Sequence, residues 1–291
     1  MKIIKKLLKK LKNYSDITLL FISIPILFPA AITMIIAHGG IPPANTIAWL
    51  FTALIATRLG GNTFNRIADR KFDKANTRTA DRALAAGKVK VIEAWVLMIV
   101  FFAILLISAG HLNTLCLILS PLAIVLACGY SFTKRFTWLC HYILGVVFAG
   151  AIVGVWLATT GKFALFPFFL GGAILFWIAG IDIIAAMQDE DFDREYKLYA
   201  IPARFGQKKA KLIAILSHAL FFAILTTLPL LVNELGWFYY IGLAVILLLQ
   251  IIEFININLK SRKKMLFLVF GVNNIIILIL SVFMCVDYFW I

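Results

Sequence analysis

Long apolar runs dominate the chain, and each is close to the length of a membrane-spanning helix. Such a helix needs about 20 mostly apolar residues to cross about 30 Å of hydrocarbon, where it satisfies its own backbone hydrogen bonds. Nine runs occur, at approximately 17–37, 43–59, 91–110, 112–133, 136–160, 163–187, 212–232, 237–256 and 265–286. They are continuous and not alternating, which excludes a transmembrane β-barrel. The pattern therefore predicts an all-α, polytopic membrane protein of nine transmembrane helices.

Composition and charge agree with this pattern. Of the 291 residues, 63% are hydrophobic and 14% charged, whereas soluble domains have about 45–50% and about 25%. The net charge of +14, from 28 basic and 14 acidic residues, would favour nucleic acid in a soluble protein, but cytoplasmic loops of membrane proteins also collect Lys and Arg. With a cytoplasmic N-terminus, 27 of the 28 basic residues lie inside and only Lys162 lies outside. The surplus is therefore assigned to membrane topology, and no nucleic-acid partner is expected.

The N-terminal segment 1–13 is the most basic part of the chain. Its lysines, at positions 2, 5, 6, 9, 10 and 12, alternate with Ile and Leu, which predicts a short amphipathic helix on the cytoplasmic, anionic membrane surface.

No other segment has the composition of a soluble domain, so residues 1–291 are expected to form a single transmembrane domain. Four cysteines and four histidines lack metal-binding spacing and are interpreted as structural: Cys116, Cys128, Cys140, Cys285, His38, His111, His141 and His218.

Acidic residues are scarce and collect in or just before the two longest polar segments, 60–90 and 188–211. These two regions hold nine of the 14 acidic residues. In the first, Asn65, Asp69 and Asp73 are four apart, so on a helix their side chains lie on one face. We call these three residues the first ladder.

A second ladder occurs at the end of the sixth apolar run. Asp189 and Asp193 are four apart, and Asp182 lies seven residues before Asp189. Carboxylates at this spacing among bases are also typical of a solvated, salt-bridged helix face. Two such ladders at one side of the membrane favour a different interpretation, because Mg²⁺ is held by one or two carboxylates together with substrate phosphates. The ladders would then hold a pair of ions around one diphosphate, with the neighbouring Arg and Lys neutralising the remaining charge.

At these residues the sequence resembles the UbiA family of membrane-embedded prenyltransferases. The first ladder matches the family signature N-x-x-x-D-x-x-x-D, and Asp189 and Asp193 match the D-x-x-x-D signature. Three further stretches are similar to the family's basic and Tyr/Lys-Arg segments: 76–87, 129–137 and 201–206. The 4-hydroxybenzoate polyprenyltransferase branch, which includes futalosine-route menaquinone relatives, is the most similar.

The resemblance implies roles for individual residues. The metal ligands would be Asn65, Asp69, Asp73, Asp189 and Asp193, of which the four aspartates are the catalytic carboxylates. The substrate-binding residues would be Asn65, Arg58, Arg78, Tyr130, Lys134, Arg135 and Asp182. Three positions depart from the family: Ala83 and Ser131 stand where Pro is common, and Ala185 where many relatives have Tyr. The metal ligands are intact, but the missing Tyr leaves the acceptor open.

The implied activity is Mg²⁺-dependent transfer of a polyprenyl group from its diphosphate, through an allylic cation, to an aromatic acid such as 4-hydroxybenzoate in quinone biosynthesis. The site would face the cytoplasm, in a cell inner membrane. The alternative is a transporter or ion channel, for which polar groups across the midplane are typical. Three polar residues inside apolar runs, Glu253, Asn273 and Asn274, are expected to face the bundle, because they are costly in lipid.

Overall fold

The structure is a computed structural model, and it describes residues 2–19, 25–257, 265 and 267–290, with side chains from residue 8 onward. All regular secondary structure in these ranges is helical, which confirms the predicted fold class. The N-terminal residues form the expected helix, α1, over Lys2–Thr18.

Eleven further helices follow within the described ranges. They are α2 (Leu27–His38), α3 (Ala44–Ala68), α4 (Arg70–Ala75), α5 (Val91–Leu112), α6 (Thr114–Thr133), α7 (Cys140–Thr160), α8 (Leu165–Ala186), α9 (Glu190–Glu195), α10 (Ile201–Leu225), α11 (Trp237–Asn256) and α12 (Asn273–Trp290). Met187–Asp189 and Leu228–Leu230 are 3₁₀ turns, and Phe267–Val272 is a π-helical turn.

Seven helical segments of the described chain are long and apolar enough to cross a membrane: α5, α6, α7, α8 with its extension to Glu195, α10 with its extension to Leu230, α11, and Phe267–Trp290. They correspond to seven of the nine predicted spans. The first predicted span coincides partly with α2, an apolar helix of only 12 residues, and residues 20–24 lie outside the described part. The second coincides with α3, whose 25 residues run well beyond the apolar stretch. Nine spans therefore stay a prediction.

The described chain separates into two compact units. Unit 1 contains residues within 1–24 and 43–132, and unit 2 residues within 25–42 and 133–291. The single domain expected from the sequence stays a prediction.

Unit 1 is built around the close packing of α3 on α5. Gly60 on α3 lies against the ring of Phe102 on α5, where a Cβ would collide with the ring. Ala56 and Leu105 extend the same contact. The last turn of α1 joins this unit through its backbone, because the side-chain amide of Asn62 donates to the carbonyl of Thr18 over 2.8 Å.

Unit 2 has a larger apolar core, formed by side chains of α2, α7, α8, α10, α11 and α12. Its most buried members include Ile152, Leu170, Phe221 and Ile276. At Gly145, α7 approaches the backbone of α8 so closely that a Cβ would overlap the carbonyl oxygen of Leu175.

Helix α10 begins earlier than the apolar pattern predicts. The pattern places the helix at 212–232, whereas α10 begins at Ile201 with Pro202 in its first turn, where a missing N–H costs no hydrogen bond. Gly206 interrupts the helix at φ 78°, ψ 164°, a conformation that is open almost only to glycine. The polar residues 201–211 are therefore helical as well. The hydrophobic pattern did not predict this, because it detects only the apolar part of the helix.

Two of the three polar residues inside apolar runs lie as expected. Asn273 is buried; its amide nitrogen donates to Glu253 Oε1 over 2.7 Å, and its oxygen accepts from Trp177 Nε1 over 2.8 Å. These bonds join α8, α11 and α12. The prediction for Asn274 was wrong. Its side chain is exposed, because the residue that follows the buried Asn273 in a helix points about 100° away from the buried face.

The N-terminus of α11 is capped from a distant part of the chain. Asp287, on α12, accepts hydrogen bonds from the backbone N–H groups of Gly236 (2.8 Å), Tyr239 (2.6 Å) and Phe238 (3.3 Å). The first backbone N–H groups of a helix have no partner within the helix. A buried carboxylate from another helix therefore satisfies this helix end.

Candidate active site

The first ladder keeps its helical register across a break in the helix. Asp69 separates α3 from α4, with φ −91° and ψ 3°. The backbone N–H of Asp69 nevertheless donates to the carbonyl of Asn65 over 2.9 Å, and that of Asp73 donates to the carbonyl of Asp69 over 2.8 Å. The four-residue spacing therefore places the three side chains on one face, as predicted.

Asp69 lies in the middle of this ladder and is only 5% exposed. The amide nitrogen of Asn65 donates to its Oδ2 over 3.2 Å and also lies 3.3 Å from the hydroxyl of Ser131, on α6. Asn65 is thereby oriented by two partners. Ser131, which stands where the resemblance leads one to expect Pro, contributes a hydroxyl to the ladder.

Asp73 is buried between two arginines. Its Oδ1 lies 2.6 Å from Arg82 Nη1, and its Oδ2 lies 3.9 Å from Arg66 Nη1. Burial lowers the pKa of Arg82 to about 10, with the nearby Arg66 also lowering it and Asp73 raising it. Arg82 is therefore cationic at neutral pH. A carboxylate has about four lone-pair sites, so the bond to Arg82 leaves Asp73 with acceptor capacity.

The segment after α4 is folded, although it contains no long helix. Thr79 Oγ1 donates to the carbonyl of Asp73 over 3.0 Å, and the N–H of Arg78 donates to Asn76 Oδ1 over 2.9 Å. Ala83 and Leu84 are buried in a small apolar cluster with Ile17, Val89 and Ala94. These contacts hold the segment 76–90 against α1 and carry Arg78 and Arg82 to the end of the first ladder.

Arg58 and Tyr130 also belong to unit 1. Arg58 lies on α3, seven residues before Asn65, and Tyr130 lies on α6, next to Ser131. The two side chains are close enough to interact electrostatically. The structure thus brings two predicted substrate-binding residues together on neighbouring helices of one unit.

The second ladder begins in unit 2 with a histidine–aspartate pair. His141 Nε2 accepts the backbone N–H of Ile201 over 3.2 Å, so Nδ1 carries the ring hydrogen and donates it to Asp182 Oδ2 over 2.7 Å. His141 is 3% exposed, whereas the side chain of Asp182 is 39% exposed. A buried imidazole thus holds a partly exposed carboxylate in one orientation. His141, interpreted from the sequence as structural, therefore also orients a predicted substrate-binding residue.

Asp189 and Asp193 lie in the short helical stretch after α8. Asp189 ends the 3₁₀ turn and precedes α9, and Asp193 lies within α9 and is 7% exposed. The stretch is held by an ion pair of 2.7 Å between Arg194 Nη2 and Glu190 Oε1, and by donation from Arg194 Nε to the carbonyl of Ala203. The predicted four-residue spacing is therefore helical, as in the first ladder.

Lys134 and Arg135 follow α6 and belong to unit 2. The carbonyl of Lys134 accepts the N–H of Tyr199 over 2.7 Å, which fixes this basic pair beside the chain that leads from α9 to α10. Arg135 is half-buried. The pair therefore belongs to the same unit as the second ladder.

Sequence reasoning missed four side chains that the structure places around the ladders: Arg66, Arg82, Ser131 and His141. The position of Arg66 gave a signal, since it lies seven residues, two helical turns, before Asp73. His141 gave none, because its partners Asp182 and Ile201 are distant in the sequence.

The donor atoms of both ladders suit a hard cation. Each ladder contributes carboxylates, and the first adds the side chain of Asn65. Within the described ranges, no group of three or more His, Cys, Asp or Glu side chains is arranged to hold a metal ion.

Comparisons with known proteins point to one family. The family model described as "UbiA prenyltransferase family" matches residues 26–275. The 4-hydroxybenzoate octaprenyltransferase of Actinobacillus pleuropneumoniae serotype 3 is 33% identical over 224 residues, 75% of this chain and 74% of its own length. The relative of the same name from Citrobacter koseri is 29% identical and covers 90% of each chain.

Solved structures agree. The apo structure of a UbiA homologue from Aeropyrum pernix K1 superposes with a TM-score of 0.79 at 29% identity, covering 90% of this chain and 97% of that one. A UbiA homologue from Archaeoglobus fulgidus, bound to GPP and Mg²⁺, superposes with a TM-score of 0.67 at 18% identity, covering 95% and 99%. The second likeness concerns the fold alone.

Proposed function

The chain belongs to the UbiA prenyltransferase family and is an integral membrane prenyltransferase, and we propose that it transfers a polyprenyl group from polyprenyl diphosphate to an aromatic acid such as 4-hydroxybenzoate. The observation that carries this proposal is the first ladder, in which Asp69 and Asp73 are buried at one end of a helix and Asp73 is paired with Arg82. The names of the relatives support the aromatic acid as acceptor. A transporter or channel is not favoured.

Each ladder has a proposed part in holding the diphosphate. The proposed oxygen ligands for Mg²⁺ are Asn65, Asp69 and Asp73 of the first ladder, and Asp189 and Asp193 of the second. A bound Mg²⁺ supplies Lewis-acid stabilisation of the charge that develops on the leaving diphosphate. A UbiA homologue from Archaeoglobus fulgidus with the same fold binds GPP and Mg²⁺, which supports the proposed use of Mg²⁺.

Basic residues near the ladders are proposed to neutralise the part of the diphosphate charge that Mg²⁺ leaves uncompensated. Arg78 and the pair Lys134–Arg135 are the proposed partners of phosphate oxygens, since guanidinium and ammonium groups form short charge-assisted hydrogen bonds with phosphate. Arg58 and Tyr130 are proposed to bind a substrate head group as well. Arg82 has a separate part, because its bond to Asp73 fixes the orientation of a proposed ligand.

The proposed reaction breaks one bond and forms another. The carbon–oxygen bond to the diphosphate breaks, and its electron pair leaves with the diphosphate. The resulting allylic cation is attacked by a ring carbon ortho to the phenol oxygen, and the ring then loses a proton. The apolar prenyl tail gains about 0.8 kcal/mol for each CH₂ that it buries, so it lies among the helices. Exclusion of water there protects the cation from hydrolysis.

Asp182 is the proposed contact to the acceptor. Its carboxylate is partly exposed and is held by His141, and it lies one helical turn before Ala185, where many relatives carry Tyr. Ala185 in place of Tyr therefore changes the proposed binding surface for the acceptor. The aromatic acid used by this enzyme therefore has to be found by experiment.

The test is a prenyl-transfer assay with the purified full chain, polyprenyl diphosphates of several lengths and a panel of aromatic acids, with products identified by mass spectrometry. Product is expected only with Mg²⁺. Asp69→Ala and Asp189→Ala should each lower the rate by at least about 100-fold. Asp81→Ala and Glu195→Ala are matched controls, because both side chains are exposed and lie beside the ladders. Full activity in excess chelator, or in both ladder variants, would refute the metal assignment.

A further inference from the structure

Helix α1 is held by contacts from Lys10 to Ile17, whereas Leu8, Lys9, Leu11 and Lys12 are exposed. In the last turn, Ile17 is 1% exposed, and Asp16 Oδ2 accepts the backbone N–H of Ala83 over 2.8 Å. Tyr14 donates its hydroxyl hydrogen to Glu93 Oε1 over 3.2 Å, and Lys10 forms an ion pair with the same oxygen at 2.9 Å. The last turns of α1 are therefore fixed to the start of α5 and to the segment 76–90.

The turn before these contacts presents two exposed faces. Leu8 and Leu11 are 60% and 55% exposed, and since they are three apart they lie on the same face. Lys9 and Lys12 are also exposed and three apart, and they lie on the adjacent face, about 100° further around the helix. An exposed apolar face bordered by lysines is the pattern of a helix that lies in the headgroup region of a bilayer.

We propose that this part of α1, Leu8–Lys12, is a docking surface for the anionic headgroups of the membrane in which the chain lies. The leucines enter the boundary between headgroups and acyl chains, and Lys9 and Lys12 contact lipid phosphates. Charge complementarity supports this occupant, because a lysine near an anionic leaflet strengthens membrane attachment about fivefold. The contacts of Asp16 and Tyr14 place the surface at the same end of unit 1 as the first ladder.

Lipid bound to this surface also stabilises part of the proposed active site. Asp16 holds the backbone at Ala83, the neighbour of Arg82, and Arg82 binds Asp73. A lipid that favours the docked position of α1 therefore favours the position of Arg82, by linkage between the two binding events. This second part of the inference rests on the proposed function, whereas lipid docking does not.

The experiment measures amide hydrogen exchange of the full chain in nanodiscs of phosphatidylcholine alone or mixed with phosphatidylglycerol. Amides in 8–19 and 76–90 are expected to exchange about tenfold more slowly in the anionic discs. The double variant Lys9→Glu, Lys12→Glu should lose this difference. Lys162→Glu, another exposed lysine, is the matched control and should keep it. Leu8→Asn with Leu11→Asn tests the apolar face and should speed exchange in both discs.

Equal exchange of wild type in the two discs would overturn the proposal, as would an unchanged lipid effect in the double lysine variant. Inorganic phosphate added to neutral discs should give no protection, and protection there would show a site for free phosphate in place of lipid. Prenyl transfer, measured on the same discs, is expected to be faster with phosphatidylglycerol in wild type and not in the lysine variant. Lipid-dependent exchange without any prenyl transfer would refute the proposed function and leave the docking surface intact.

Discussion

Individual side chains at the two ladders owe their chemistry to partners that are distant in the sequence. Asp73 has a cationic neighbour nine residues away, Arg82, and Asp182 has a hydrogen-bond donor 41 residues away, the Nδ1–H of His141. In both cases a rigid donor restricts a carboxylate to one orientation. In the proposed reaction such restriction matters, because the prenyl carbon and the ring carbon have to lie within bonding distance and a displacement of about 1 Å costs up to about 100-fold in rate.

We expect His141 to act as a positioning residue for Asp182. His141→Leu removes both hydrogen bonds of the ring and should lower kcat/KM for the aromatic acid about tenfold or more, mainly through KM. His141→Asn places an amide N–H near the position of Nδ1 and should recover part of the loss. The measurement is steady-state kinetics with each substrate varied in turn.

The control for this prediction is His111→Leu. His111 stacks on Trp49 in unit 1 at a ring separation of 4.1 Å, and its replacement should leave both KM values unchanged. Wild-type kinetics in His141→Leu would contradict the positioning role, as would equal losses for Leu and Asn with normal acceptor KM.

The helices themselves follow from local pattern, but their ends do not. The apolar runs predicted the seven long helices, and most of the predicted boundaries lie within a few residues of the observed helix ends. They failed at α10, where the polar residues 201–211 are helical, and at α3, which runs on to Ala68. A helix end is decided by capping and by contacts with other segments, and these are absent from a hydrophobicity pattern.

The cap of α11 illustrates this and yields a prediction about stability. Asp287→Ala leaves the N–H groups of Gly236, Phe238 and Tyr239 without their acceptor, and should lower the free energy of unfolding by about 1–3 kcal/mol. Asp287→Asn keeps an acceptor oxygen and should cost less. Thermal unfolding of the purified protein in detergent measures both changes.

Glu234→Ala is the control for the cap, because Glu234 is an exposed acid two residues before Gly236. It should unfold at the wild-type temperature. An Asp287→Ala protein as stable as wild type would show that the three bonds contribute nothing net to the stability of the fold.

For the complete chain, the distribution of charge predicts an orientation in the membrane. Of 28 basic residues, 27 are assigned to one side if the N-terminus is cytoplasmic, and Lys and Arg are retained on that side during insertion. The basic residues of the segment 257–264 contribute to this assignment, although 258–264 lie outside the described part of the structure. Both ladders and α1 are thereby expected on the cytoplasmic side.

Cysteine accessibility tests this orientation. In a background without the four native cysteines, Asp81→Cys and Glu195→Cys should react with a membrane-impermeant reagent only after the cells are opened. Lys162→Cys should react in intact cells. All three positions are exposed, so differences in labelling report the side of the membrane. External labelling of position 81 or 195 would overturn the orientation.

The sequence alone established the all-α membrane architecture, the two ladders and the family resemblance, because each depends on spacing along one helix or on the length of one apolar run. The tertiary structure decided which groups surround those ladders: Arg66 and Arg82 at Asp73, Ser131 at Asn65, and His141 at Asp182. It also decided that the last turns of α1 are anchored while Leu8 and Leu11 are exposed. Orientation and burial of a side chain depend on residues that are far apart in sequence, and only the folded chain brings them within hydrogen-bonding distance.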